Sequence, residues 1–161
     1  MLNKPSGFVT NLPKEGEREA SELLPKHLRK KLHAIGRMDK QSDGLLLFTD
    51  DGVLAHRLTS PKFDHEKEYI VKVDKEIEEW ILERYRKGIV ILGEKTKPVQ
   101  VEKVEDKVYR FILREGKNRQ IRRMLSNYQI RTLRLQRVRI ANIKLDNLRE
   151  GHYRTINVFF E

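Results

Sequence analysis

Apolar positions along the chain repeat at two periods, and the switching between them predicts the elements. Residues 45–49 (LLLFT) form a largely apolar run short enough for a buried strand, and 68–74 (EYIVKVD) alternate at period two. Residues 97–104 and 107–114 read as a β-pair turning at Glu105-Asp106, with shorter strands at 6–11 and 89–92 and a long basic one at 131–143. Helical spacing runs through 76–87, where Ile77, Trp80, Ile81 and Tyr85 share a face, and Gly88 supplies the stop. It returns after Gly116, with Ile121, Met124, Leu125 and Tyr128 at i, i+3, i+4 and i+7. Asp51 suits the cap of a helix carrying Val53, Leu54 and Leu58, and 23–31 predict a short basic helix. A last strand is expected over 153–160. Strands and helices mix without strict β-α-β order, so the fold class expected is α+β, with a largely antiparallel sheet and flanking helices.

The chain has 161 residues, the size of one domain or of two small lobes. No apolar run reaches membrane-spanning length, and the start MLNKPSGFVT lacks a signal-peptide pattern. The absence of cysteine removes disulfides, zinc knuckles and thiol chemistry and suits a cytoplasmic location. Charge changes the picture more. Of 34 Lys and Arg and 24 Asp and Glu, 13 basic and only 3 acidic residues lie at 110–154, so the net +10 sits entirely there. A segregated basic third points to a polyanion, and its Arg-rich make-up suits bidentate phosphate contacts. Lys117, Asn118, Arg119, Arg123, Arg134 and Arg137 are the candidate nucleic-acid-binding residues in this segment.

Candidate chemistry is sparse elsewhere. The five histidines are scattered without ligand spacing, no Ser/His/Asp arrangement is present, and there is no glycine-rich phosphate loop. Asp39, Asp43 and Gly44 imitate part of a calcium loop, but Gln41, Leu47 and Asp50 are wrong for it, so no metal is expected. Arg37-Met38-Asp39 instead places a carboxylate beside a guanidinium, immediately before a tight turn and an apolar strand. An acid at such a strand edge can be shielded from water and paired with a cation.

GRMDKQSDGLLLFTDDG (36–52) resembles the G-R-L-D-x-x-[ST]-x-G-L-L-L-x-T-x-D-G signature of pseudouridine synthases, and EGKNRQIRRM resembles their second hallmark, in the RsuA branch above all. LNKPSG at 2–7, KEY at 67–69, and the stretch from LRLQRVRI to LDNLREGHYR at 133–154 resemble further elements of the family, in order along essentially the whole chain. DHEKEYIVKVDKEI and VILG are most similar to the RluF-type subgroup. Met38 and Asp43 depart mildly from the usual Leu and Glu.

The resemblance implies a two-lobed catalytic domain over 1–161 with a central cleft and approximate lobes at 1–64 and 65–161; the small S4-type domain that begins many relatives is not expected within these residues. It implies isomerisation of uridine to pseudouridine in RNA, with ribosomal RNA of the large subunit foremost and small-subunit or transfer RNA as rivals. No cofactor is required, and a monomer without membrane association is expected. Carried over by position, Asp39 is the catalytic aspartate, Arg122 its basic partner and Tyr69 the aromatic that stacks on the target base. Arg37 holds the target nucleotide out of its helix, and Leu135 packs against the site. The rival from another class is a non-catalytic RNA-binding or ribosome-assembly module, in which Asp39 would be dispensable.

Overall fold

The computed structural model describes residues 1–160. The first half of the chain builds β1 (Leu2–Lys4), the short pair β2 (Phe8–Val9) and β3 (Arg18–Glu19), one helical turn α1 (Lys26–Arg29), β4 (His33–Ile35), β5 (Asp43–Thr49) and α2 (Gly52–Thr59). The second adds β6 (Lys67–Val73), α3 (Glu79–Lys87), the hairpin β7 (Val90–Ile91) and β8 (Glu94–Lys95), and the pair β9 (Gln100–Glu105) and β10 (Val108–Leu113). It closes with α4 (Gln120–Ser126), β11 (Thr132–Ile140) and β12 (Ile143–Lys144). The α+β class with a largely antiparallel sheet is as expected.

The central sheet runs β1-β5-β11-β6-β10-β9, with β4 on β5 and β12 on β11. Every pairing in it is antiparallel except β5 with β11, where Gln136 lies opposite Asp43 and Arg137 opposite Gly44. This parallel seam joins the two halves, and Gly44 makes it possible. Its φ is +106°, and a Cβ there would stand 2.2 Å from the Arg137 carbonyl oxygen and 2.8 Å from its amide nitrogen. Only glycine accepts both that backbone conformation and so close a neighbour.

Three apolar clusters pack against the sheet. Alternation along β5 sends Leu45 and Leu47 to one cluster with Ile35, Leu58 and Ile140, and Leu46 to another with Leu2 and Ala20. The largest joins Val71, Tyr109 and Phe111 of the sheet to Ile81 and Tyr85 of α3 and to Ile121, Met124 and Leu125 of α4. Asp51 caps α2 as predicted, its Oδ1 accepting from Val53 N at 2.9 Å and Leu54 N at 3.1 Å. At the end of α4, the Tyr85 hydroxyl donates to the Met124 carbonyl at 2.9 Å, which ties the two helices together. Burial raises the Tyr85 hydroxyl well above the ordinary tyrosine range.

Four expectations need correction. The helix expected at 23–31 is split into a 3-10 turn, Ala20–Leu23, and the single turn α1, because Pro25 holds Leu24 extended. The helix expected from residue 76 begins at Glu79, while Ile77 is buried ahead of it with its amide donating to the Tyr109 hydroxyl. Trp80 does not join the core. It is half exposed, edge-on to Tyr128, with the Arg84 guanidinium 5.2 Å from its ring centroid. Residues 153–160 form no strand beyond one bridge from Tyr153 to Leu2, since β1 is only three residues long and offers nothing further to pair with. Ile156, Val158 and Phe160 instead pack side-on against the core of the first half. Among the described residues no helix is long and apolar enough to cross a membrane.

Candidate active site

The loop between β4 and β5 carries Asp39, and backbone contacts from the start of the chain hold that loop. Buried Thr10 accepts from Met38 N at 2.8 Å and donates to Met38 O at 2.9 Å, so both backbone polar atoms of the residue before Asp39 are fixed. The amide of Gly7 donates to Lys40 O at 2.7 Å, and Ser42 N closes the turn on Asp39 O at 3.1 Å. Lys4 is fully buried beneath the loop, its ammonium donating to the carbonyls of Pro5 (2.8 Å), Phe8 (2.7 Å) and Lys40 (3.4 Å). Burial pushes the Lys4 amine down to about 8, against the opposing pull of Asp43 and Asp39.

From across the seam two arginines of the α4 segment reach Asp39. Arg119 Nη1 lies 3.4 Å and Arg122 Nε 3.6 Å from the same oxygen, Oδ2. Arg119 also donates to Gln41 Oε1 at 2.9 Å, and Arg122 Nη2 to Ser42 Oγ at 3.1 Å. The Arg122 side chain is only 14% exposed. Burial, and after it the charge of Arg119, weaken its hold on a proton, whereas Asp39 strengthens it. Arg119 comes within reach because it adopts a left-handed conformation, φ 49°, at the start of α4. The apolar face of α4, meanwhile, is locked into the core by Ile121, Met124 and Leu125.

These groups line a cleft of about 450 Å³ at the seam, with Tyr69, Leu135, Arg137 and Lys67 on its sheet side and Arg37 exposed on its loop side. Tyr69 and Arg137 face each other directly across β6 and β11, and Leu135 sits two residues along, opposite Val71. The structure thus brings Asp39, Arg122, Tyr69, Leu135 and Arg37 into one cleft.

The basic residues expected to grip RNA are arranged differently from a free cationic face. Arg134 forms a bidentate pair with buried Asp43 (3.0 and 3.1 Å), Lys117 pairs with Glu94 (2.7 Å), and Arg123 donates to the Asn118 carbonyl (3.0 Å) and its Oδ1 (2.9 Å). Arg137 is buried, 6% exposed, with Nε on the Leu45 carbonyl at 2.8 Å. Much of the local positive charge is therefore used within the molecule. Lys4, Thr10 and Ser42 were missed as supports of the site. A lysine next to proline or a lone threonine carries no periodic signal, and only the tertiary contacts reveal them.

The fold is that of pseudouridine synthases. A crystal structure of a pseudouridylate synthase superposes with a TM-score of 0.90 at 35% identity, over 97% of this chain and 68% of that one. An archaeal box H/ACA Cbf5–Nop10 complex shares the fold alone, with a TM-score of 0.61 at 18% identity over 90% of this chain and 48% of that one. The chain belongs to the RNA pseudouridylate synthase family, whose model matches residues 1–127. It is 39% identical over 96% of its length to the dual-specificity RNA pseudouridine synthase RluF of Escherichia coli. It is also 36% identical over 97% of its length to ribosomal small subunit pseudouridine synthase A of Yersinia pestis. The chain spans 53% of the former relative and 68% of the latter.

Proposed function

We propose that the chain isomerises uridine to pseudouridine in RNA, with Asp39 as the reactive carboxylate. The observation carrying this reading is that Arg119 and Arg122 both approach Asp39 Oδ2 in a cleft whose opposite wall presents Tyr69. The reaction breaks the N1–C1′ bond of uridine, turns the ring and joins C5 to C1′. C5 gives up a proton and N1 gains one, so nothing is oxidised and no group is added.

A base must leave its stack to enter the cleft, at a cost of a few kcal/mol. Stacking on Tyr69 offsets part of that cost, and exposed Arg37 fills the vacated space. Asp39 then attacks the ribose carbon, attacks the base, or removes the C2′ proton. Each route needs a carboxylate, and the two guanidiniums supply its countercharge. Leu135 and Tyr69 shield the reacting atoms from water.

Ribosomal RNA is the substrate class favoured, on the name of the Yersinia relative. The RluF-like stretch around Tyr69 favours the large subunit within it. Asp39→Asn should abolish pseudouridine formation in ribosomal RNA lacking the modification while leaving RNA affinity within about twofold, because phosphate contacts dominate that affinity. Conversion by the Asn variant at the wild-type rate would sink the assignment.

A further inference from the structure

Arg137 stands out as a cation without a counter-ion. It is 6% exposed, its Nε is satisfied by the Leu45 carbonyl, and its Nη2 is buried with no hydrogen-bond partner. No carboxylate pairs with it among the described residues, although nearby Arg134 and Arg139 each have one or more. A buried guanidinium left with a single neutral acceptor is costly, and such an unsatisfied group calls for a partner that arrives later. Its place indicates which. Arg137 lies in the cleft wall directly opposite Tyr69 in the β6–β11 register, so the two side chains emerge on the same face of the sheet. Lys67, two residues before Tyr69 on the same face, also lines the cleft and has no ion-pair partner among the described residues.

Building on the uridine-isomerase reading, we infer that Arg137 is a further catalytic residue, donating from its guanidinium to a carbonyl oxygen of the target uracil. A base stacked on Tyr69 brings its polar edge towards the neighbouring position of the sheet, which is Arg137. A backbone phosphate fits less well, since the guanidinium is nearly buried in the cleft wall and is not presented at the molecular surface. The same donor acts on the chemistry. When N1–C1′ breaks, the bonding pair stays with the ring, whose single negative charge spreads over N1, O2 and O4. The ring returns that pair to C1′ through C5, with the proton changes at C5 and N1 already described. A fixed cation at a carbonyl oxygen stabilises the charged ring more than the neutral one, which lowers the barrier. Lys67 adds positive potential at the same wall.

The test begins with total ribosomal RNA lacking the modification. If the wild-type protein converts no uridine in it, the isomerase reading itself fails. Once a converted uridine is found, synthetic RNAs carry at that position uridine, 2-thiouridine or 4-thiouridine, or a methylphosphonate at its 3′ phosphate. One thio substitution is expected to slow the wild type at least about tenfold, because sulfur is a poor hydrogen-bond acceptor. Arg137→Met should slow uridine conversion roughly 100-fold or more in single turnovers with RNA affinity little changed, and the sensitive thio substitution should slow that variant no further. Wild-type rates indifferent to both sulfur atoms would overturn the inference, and this arm needs no variant. Equal thio penalties in wild type and Arg137→Met would overturn it as well. So would coupling of Arg137 to the methylphosphonate instead of the base.

Discussion

Arg134 and Asp43 close on each other as a bidentate pair, Nε to Oδ2 at 3.0 Å and Nη2 to Oδ1 at 3.1 Å, between residues 91 positions apart in the chain. The pair bridges the parallel seam beside the cleft and holds β5 against β11 where Gln136 meets Asp43. Asp43 is buried while Arg134 is more than half exposed, so the carboxylate depends on the arginine more than the reverse.

Arg134→Ala should therefore destabilise the protein by about 1–3 kcal/mol in urea unfolding, from the bonds lost to a buried carboxylate. Asp43→Asn in the same background should cost less than it does alone, since the charge left unpaired is then gone. Additive losses would show that the pair contributes no coupling.

Gly44→Ala should be more damaging than any surface change. The methyl group would be driven into the Arg137 backbone at a φ of +106°, for roughly 3 kcal/mol or more. Because the seam carries Asp39 on one side and Arg137 on the other, activity should fall further than thermal stability alone accounts for. A variant with unchanged melting temperature and rate would contradict the role given to this glycine.

The two arginines at Asp39 should rank unequally. Arg122 is the more buried and also holds Ser42, whereas Arg119 is 37% exposed and shares itself with Gln41. Arg122→Met should lower the single-turnover rate about 100-fold to 1,000-fold, and Arg122→Lys less. Arg119→Met should lower it about tenfold. Equal losses would place the two guanidiniums in equivalent roles.

Lys4 gives the alkaline limb of stability a definite sign. Its amine is lowered from an unfolded value near 10.5 to about 8, so between those pH values the unfolded chain binds more protons. The destabilising contribution of this buried ammonium should shrink as pH rises from 7 to 9.5, by on the order of 1–2 kcal/mol. Lys4→Met should lack that gain, so the stability of wild type relative to the variant should rise over this range. A constant difference in urea unfolding would show that the three carbonyls offset the burial.

The elements and the residue proposed to react were legible in the sequence for local reasons. Alternation in 68–74, the spacing of Ile121, Met124 and Leu125, and the cap at Asp51 are short-range signals, and each appears in the fold. The motif around Asp39 was equally local. Where local signals are weak or misleading, the fold departs from them. Trp80 fits an apolar stripe by spacing, but the helix starts three residues later than expected and leaves it beside Arg84 and Tyr128. The tail from Tyr153 has the apolar content of a strand and lacks an edge to join.

The sequence alone determined that a basic last third faces a neutral front carrying Asp39, since charge and motif are properties of residue order. Only the tertiary structure decided how that charge is used. Residues 80 or more positions apart meet across one parallel strand pair, so Arg122 reaches Ser42 beside Asp39, Arg134 is taken up by Asp43, and Arg137 is buried without a counter-ion. Such pairings depend on distances across the sheet, which no linear spacing encodes.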